Sequence, residues 1–219
     1  MKKLLTAILL FTFFSVSAQT QSLGKNDPAA KAILDGVSNK FRTFKSVTAN
    51  FSLRVENGAG KVQGNKAGIV NMKGTKYKVN VTGQEIYCDG NNIWTFDKAA
   101  NEVQITKFDN SANTITPQKL FTNFYDKDFL YKLNGETKVG KRVLQEIELT
   151  PTDKTKPFFK VLLTVDKAAK SIVKTKIFEK NGNRYTYSIN RMVTNANLPD
   201  ALFAFNNKKY PGVEVVDLR

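Results

Sequence analysis

Few side chains in this chain of 219 residues could do chemistry. It contains no histidine. That removes a serine–histidine triad, a histidine general base and a histidine-bearing zinc site. One cysteine is present, Cys88, so no disulfide forms within the chain. It stands in an apolar strand-like stretch without an imidazole to draw off its proton, and it reads as a small packed residue rather than a nucleophile. The glycine-rich run NGAGK, residues 57–61, is not a phosphate loop. Its spacing differs, and no Ser or Thr follows Lys61; it reads as a hairpin tip. Glu146 and Glu148 are two residues apart, which puts both on one face of a strand. With Val143, Ile147 and Leu149 on the other face, they form the wet side of that strand, not an acid–base pair. The residue types therefore point away from an enzyme, and no metal or cofactor is expected.

The elements around these residues explain more. Met1-Lys2-Lys3 is followed by LLTAILLFTFFSVSA, ending in Val16-Ser17-Ala18. A charged start, an apolar run shorter than the roughly 20 residues a membrane span needs, and small residues at its end read as a secretory signal peptide cut after Ala18. The expected division is residues 1–18 as signal and 19–219 as one domain. Loss of Lys2 and Lys3 lowers the formal charge from +15 to +13. Such an excess fits either an acidic partner or solvated strand faces that blunt edge pairing. The lysines are scattered singly, with no arginine cluster, so nucleic acid is not expected.

Asp27-Pro28 then opens a helix, with proline at its first position. Ala29, Ile33, Val37, Phe41 and Phe44 form its apolar stripe. After it the period changes to two. In VTANFSLRVE, Val47, Ala49, Phe51, Leu53 and Val55 alternate with polar residues, as in a half-buried antiparallel strand. Tyr77/Val79/Val81, Val103/Ile105, Val143 to Leu149, Phe159/Val161/Leu163/Val165, Ile172 to Phe178 and Tyr185/Tyr187/Ile189 continue the pattern. Turn signals such as DGNN, DKAAN and EKNGN separate the strands. The count is ten or eleven strands in a meander without a linker or repeat. Between Phe108 and Lys138 the alternation stops, and Thr116-Pro117 opens a short helical segment carrying Leu120, Phe121 and Phe124.

The expected fold is mainly β (α+β): a strongly curved antiparallel half-barrel covered by an N-terminal helix and a short inserted helical segment. A sheet this long curls, and two helices can cover its concave apolar face. Pattern alone leaves two interiors open. One is fully packed by the chain's own side chains; the other keeps a lipid-sized hollow.

The order of several stretches resembles the periplasmic outer-membrane lipoprotein carrier family. These are FKSVTANFSLRV (residues 44–55), KAGIVNMKG (66–74), DGNNIWTFD (89–97), IELTPTD (147–153) and LPDALFAFNNKKYPGVEVVDLR (198–219). The resemblance covers nearly all of the chain after the signal segment. It implies an unclosed half-barrel with helices as a lid and a cavity for acyl chains. It implies a periplasmic carrier that takes acylated lipoproteins from an inner-membrane ABC transporter to an outer-membrane acceptor; a monomer is expected. A lipid- or lipoprotein-sensing module on the same fold is the alternative.

On this reading the cavity wall and lid comprise Phe51, Leu53, Val55, Val79, Val81, Trp94, Phe96, Leu120, Phe121, Phe124, Phe159, Val161 and Leu163. The chain departs from the family at Gly74, where members carry an arginine that helps hold the lid. Lys73 or Lys76 could take its place, although an ammonium lacks the planar fork of a guanidinium.

Overall fold

The computed structural model describes residues 26–109, 117 and 125–219. Residues 1–18, expected as a signal segment, and Leu120, Phe121 and Phe124 lie outside the described residues.

Helix α1 (Pro28–Arg42) begins where Asp27 accepts hydrogen bonds from the amides of Ala29 (2.8 Å) and Ala30 (3.4 Å), with Pro28 preset for the first turn. Lys40 and Arg42 sit in the last turn, where cations suit the helix dipole. The buried face is Ala30, Leu34, Val37 and Ser38. Ile33, Phe41 and Phe44 pack partly buried against the same cluster, so the expected stripe departs only at its start, where Ala30 is buried and Ala29 exposed. The cap fixes that phase, because Asp27 is held from two sides.

Among the described residues twelve strands follow in chain order: β1 (Val47–Glu56), β2 (Val62–Lys73), β3 (Lys76–Val81), β4 (Gln84–Cys88), β5 (Asn92–Asp97), β6 (Glu102–Lys107), β7 (Phe129–Val139), β8 (Arg142–Pro151), β9 (Phe158–Asp166), β10 (Ser171–Glu179), β11 (Arg184–Thr194) and β12 (Glu214–Asp217). A single-turn helix, α2 (Tyr125–Asp128), precedes β7. All strands join one sheet in the order β12-β6-β5-β4-β3-β2-β1-β11-β10-β9-β8-β7, which does not close on itself. Every pairing is antiparallel except β12 with β6, which is parallel. The twelfth strand was not expected, since four residues carry no alternating pattern long enough to register.

The sheet places one set of alternating residues inward. Val47, Ala49 and Phe51 of β1 face Val70 and Met72 of β2, and Ile147, Leu149, Leu163 and Val165 of β8 and β9 join them in one buried cluster with Ala30, Leu34 and Val37. Helix α1 thus covers the β7–β10 side. Its start is stitched to β7: the amide of Leu133 donates to Asp27 (3.0 Å), and the amide of Asp27 donates to the carbonyl of Tyr131 (3.1 Å). The Leu133 amide is the main reason the Asp27 carboxyl sits below its ordinary range.

A second apolar layer lies on the outer face, beneath the segment between β11 and β12. Tyr87, Phe96 and Val103 are buried there. Phe205 and Tyr210 stack (centroids 4.9 Å apart, 8° between planes), and Tyr210 lies 4.4 Å from the Phe96 ring. Phe203 is fully buried (0 % exposed) and stands outside the inner cluster.

Glu85 is enclosed in this layer. It accepts from Tyr87, from Tyr210 (2.9 Å), and pairs with Lys98 (2.7 Å). Burial alone would raise its carboxyl, but the hydrogen bonds from Lys98, Tyr87 and Tyr210 outweigh it and hold it at about 2, against an ordinary value of 4.5. Because the folded value is the lower one, this carboxylate stabilises the fold fully above pH 4.5. That contribution disappears as pH falls towards 2. A Glu85→Gln variant should therefore show a shallower loss of stability between pH 4.5 and 2 than the parent, read from urea midpoints along a pH series.

Candidate functional site: an apolar cavity under the sheet

The two wings of the sheet line one cavity of about 1000 Å³. The wall comes from Tyr77, Val79, Ile86 and Ile93 on one wing, and from Ile177, Tyr187 and Ile189 on the other. Strand β1 lies between the wings and contributes Phe51. Alternation explains the assembly. Phe51 is opposite Ile189 in β11 and Gly68 in β2, and Gly68 is opposite Val81 in β3, so one inward row runs through four strands.

Gly68 makes the Phe51 seat. A Cβ there would lie 2.5 Å from Phe51 Cζ and 2.7 Å from the Asn80 carbonyl oxygen. The ring therefore occupies the space a side chain would need. A register shift between Asn50 and Phe51 also re-aims this residue.

The wall side chains are aliphatic, aromatic or hydroxyl-bearing. The charged lining residues Lys107, Asp109, Asp153, Lys156 and Glu179 are exposed or half-buried. Burial raises the phenols of Tyr77 and Tyr187, and Cys88 beside Tyr77 adds to its shift, so both remain protonated at neutral pH. Cys88 is fully buried and burial pushes its thiol up, the opposite of an activated nucleophile. Among the described residues, no group of three or more His, Cys, Asp or Glu could hold a metal ion. The arrangement can take up an apolar guest.

The residues expected at the wall divide into sets. Phe51 and Val79 line the cavity. Leu53 and Val81 are half-buried against the same cluster, and Val55 is opposite the lining residue Tyr185. Val161 and Leu163 are buried beneath it, opposite the lining residues Ile177 and Thr175. Trp94 and Phe96 lie on the outer face, and their neighbours Ile93 and Thr95 point inward. Phe159 is also outside: a register shift where β9 meets β10 turns Phe158 inward and leaves Phe159 exposed. Of the inserted segment, Pro117 lines the cavity.

Tyr77, Ile86, Tyr187 and Ile189 were missed as wall residues. Their strands alternate clearly, but cross-strand register was needed to set them around one hollow.

Gly74 has φ +58° in the β2–β3 turn, a conformation glycine adopts freely and arginine does not. Lys73 and Lys76, beside it, both reach the Asp200 carboxylate (2.9 and 3.0 Å). That pairing ties the hairpin to the turn Asp200–Phe203.

Comparison with known proteins agrees with this architecture. The family described as outer membrane lipoprotein carrier protein LolA matches residues 42–206. No curated protein matches the chain. Among solved structures, an uncharacterized conserved protein from Thermus thermophilus is similar over 86% of this chain and 99% of its own, with 12% identity and a TM-score of 0.58. At that identity the likeness is one of fold. A LolA superfamily protein from Nitrosomonas europaea aligns over 80% of this chain and 97% of its own (17% identity, TM-score 0.43). The lipoprotein LppX from Mycobacterium tuberculosis aligns over 80% and 99% (15% identity, TM-score 0.46). The family match spans most of the described strands and the helix end that leads into them, and by it the chain belongs to the outer membrane lipoprotein carrier protein LolA family.

Proposed function

We propose that this protein is a periplasmic carrier that holds the acyl chains of lipoproteins in its cavity between release from the inner membrane and delivery to the outer membrane. The observation that carries this reading is the hollow of about 1000 Å³ walled by Phe51, Val79, Ile86, Ile177 and Ile189. A methylene fills about the volume of one liquid water, about 30 Å³. A C16 tail then needs roughly 500 Å³, and the hollow has space for one with room left over.

The energetics suit a carrier. Each buried methylene contributes about 0.8 kcal/mol, so about 14 of them contribute roughly 11 kcal/mol. Several tails bound tightly would exceed the roughly 18–21 kcal/mol at which non-covalent affinity saturates. Such a cargo cannot cross water alone, and a protein that gripped every tail could not let go. A wall between two wings of an unclosed sheet meets both demands. Handover partners on this reading are a releasing ABC transporter and an outer-membrane acceptor.

Native mass spectrometry of protein recovered from its periplasm tests the proposal. The expected result is an added mass equal to an acylated polypeptide. Free lipid as the sole bound species would sink the lipoprotein part. Failure of the purified protein to take up a fluorescent fatty acid would sink the cavity assignment itself.

A further inference from the structure

A second surface lies outside the cavity. Phe159 is 49% exposed, unusual for so large an apolar ring. It packs on Phe178 (centroids 6.2 Å). Cations surround Phe178: Lys160 Nζ at 4.7 Å, Lys176 Nζ at 5.5 Å and the Arg184 guanidinium at 5.8 Å from the ring centroid.

Three turns meet at this end of the sheet. Arg184 donates to the Gly58 carbonyl (3.2 Å), which ties the β10–β11 turn to the β1–β2 turn. The Lys180 amide donates to Pro157 (2.9 Å), and its ammonium reaches the Lys154 carbonyl, which ties in the β8–β9 turn. Lys61, Lys154, Lys156, Lys160, Lys180 and Arg184 thus share one end. The acids there are Asp128, whose carbonyl accepts from the Thr152 amide (3.0 Å), Asp153 and Glu179, with Glu56 bound to Lys176 and Arg54. Asp153, Pro157, Phe158, Glu179 and Tyr185 of the same end border the cavity.

We propose that this end is a docking surface for an anionic lipid bilayer, with Phe159 as its apolar contact. Charge complementarity selects the partner. Lysines outnumber arginines, and an ammonium is a point charge suited to a diffuse negative surface, whereas fixed carboxylates of a protein partner favour the guanidinium fork. An exposed ring among lysine stems suits the headgroup layer, where the ring enters and the ammonium groups stay wet. Docking there sets the cavity rim against the lipid. The inference goes beyond the carrier reading, because it concerns a different surface and needs no cargo.

Flotation of the purified full chain with vesicles tests it. Phosphatidylcholine vesicles containing about one third phosphatidylglycerol should bind the protein, with each cation near the surface contributing about fivefold. Pure phosphatidylcholine should bind it at least tenfold more weakly. Lys154→Glu with Lys160→Glu should cut binding to the anionic vesicles at least tenfold, and Phe159→Ser severalfold. The control pair Lys138→Glu with Lys141→Glu, at the opposite end of the sheet, should change it less than threefold. Equal loss in the control pair would show bulk charge alone and overturn the proposal, as would equal binding to both vesicle types or to neither. Fatty-acid uptake by the same variants reports the cavity separately. Its preservation shows that they fold, and its absence in the parent would count against the carrier reading without touching the vesicle result.

Discussion

Replacing Phe51 with glutamate is expected to abolish acyl-chain loading while leaving the sheet assembled. Phe51 stands in β1, which has β2 and β11 hydrogen-bonded on either side, and it lines the cavity. A carboxylate there would meet Ile189, Tyr187 and Val70 with no cation among those neighbours. An ionised group left unpaired in such surroundings costs several kcal/mol, and each 1.4 kcal/mol is tenfold in affinity. Uptake of a fluorescent fatty acid should fall at least a hundredfold. The strand itself should survive, because the ladder bonds on both sides are backbone bonds and the new side chain can turn into the hollow. Val79→Glu, at a half-buried lining position, gives an independent version with less disturbance of the core. A folded variant of either kind that still loads normally would falsify the assignment of the cavity.

The second large effect is expected far from the cavity. Phe203→Ala should lower the unfolding free energy by about 3–5 kcal/mol, the usual cost of emptying a fully buried aromatic site. Phe203 is completely enclosed by the outer layer, which also rests on Phe205, Tyr210 and the Glu85 network. The variant should unfold at markedly lower urea, yet its folded fraction should bind fatty acid with parental affinity. A loss of affinity in the folded fraction alongside the loss of stability would show that the two apolar layers are one unit, and an unchanged urea midpoint would sink the packing role of Phe203.

These two sites differ in how far the sequence announced them. Asp27-Pro28 marked the start of α1, and the alternation in Val47 to Val55 marked β1 and its inward face, because capping and period-two burial are local rules. Alternation put Phe51 of β1 on the inward face, and the same period in β3 did so for Val79. Phe159 did not, since one extra residue in β9 reverses which neighbour points inward, and nothing in PFFKVLLTV signals the bulge.

Trp94 and Phe96 stand on the outer face for another reason. Strands β4 and β5 are apolar on both faces: Ile86, Ile93 and Cys88 inward, Tyr87, Trp94 and Phe96 outward. Two-sided strands of that kind indicate two coverings, but the second covering is the segment carrying Phe203, Phe205 and Tyr210, more than 100 residues away. The cavity's outline depended on register between β1 and β11, 138 residues apart at the Phe51–Ile189 pair. Such separations lie beyond any local pattern.

That separation also governs how the molecule comes together. β6 pairs with β5 on one flank, and its other flank is met in parallel by Glu214–Asp217, with Val103 beside Val215. During vectorial emergence of the chain, the flank of β6 stays bare through the synthesis of about 110 intervening residues, offering its amides and carbonyls to any extended peptide nearby. Covering that flank therefore waits for Glu214–Asp217, and until they dock β6 is an open edge for strand addition.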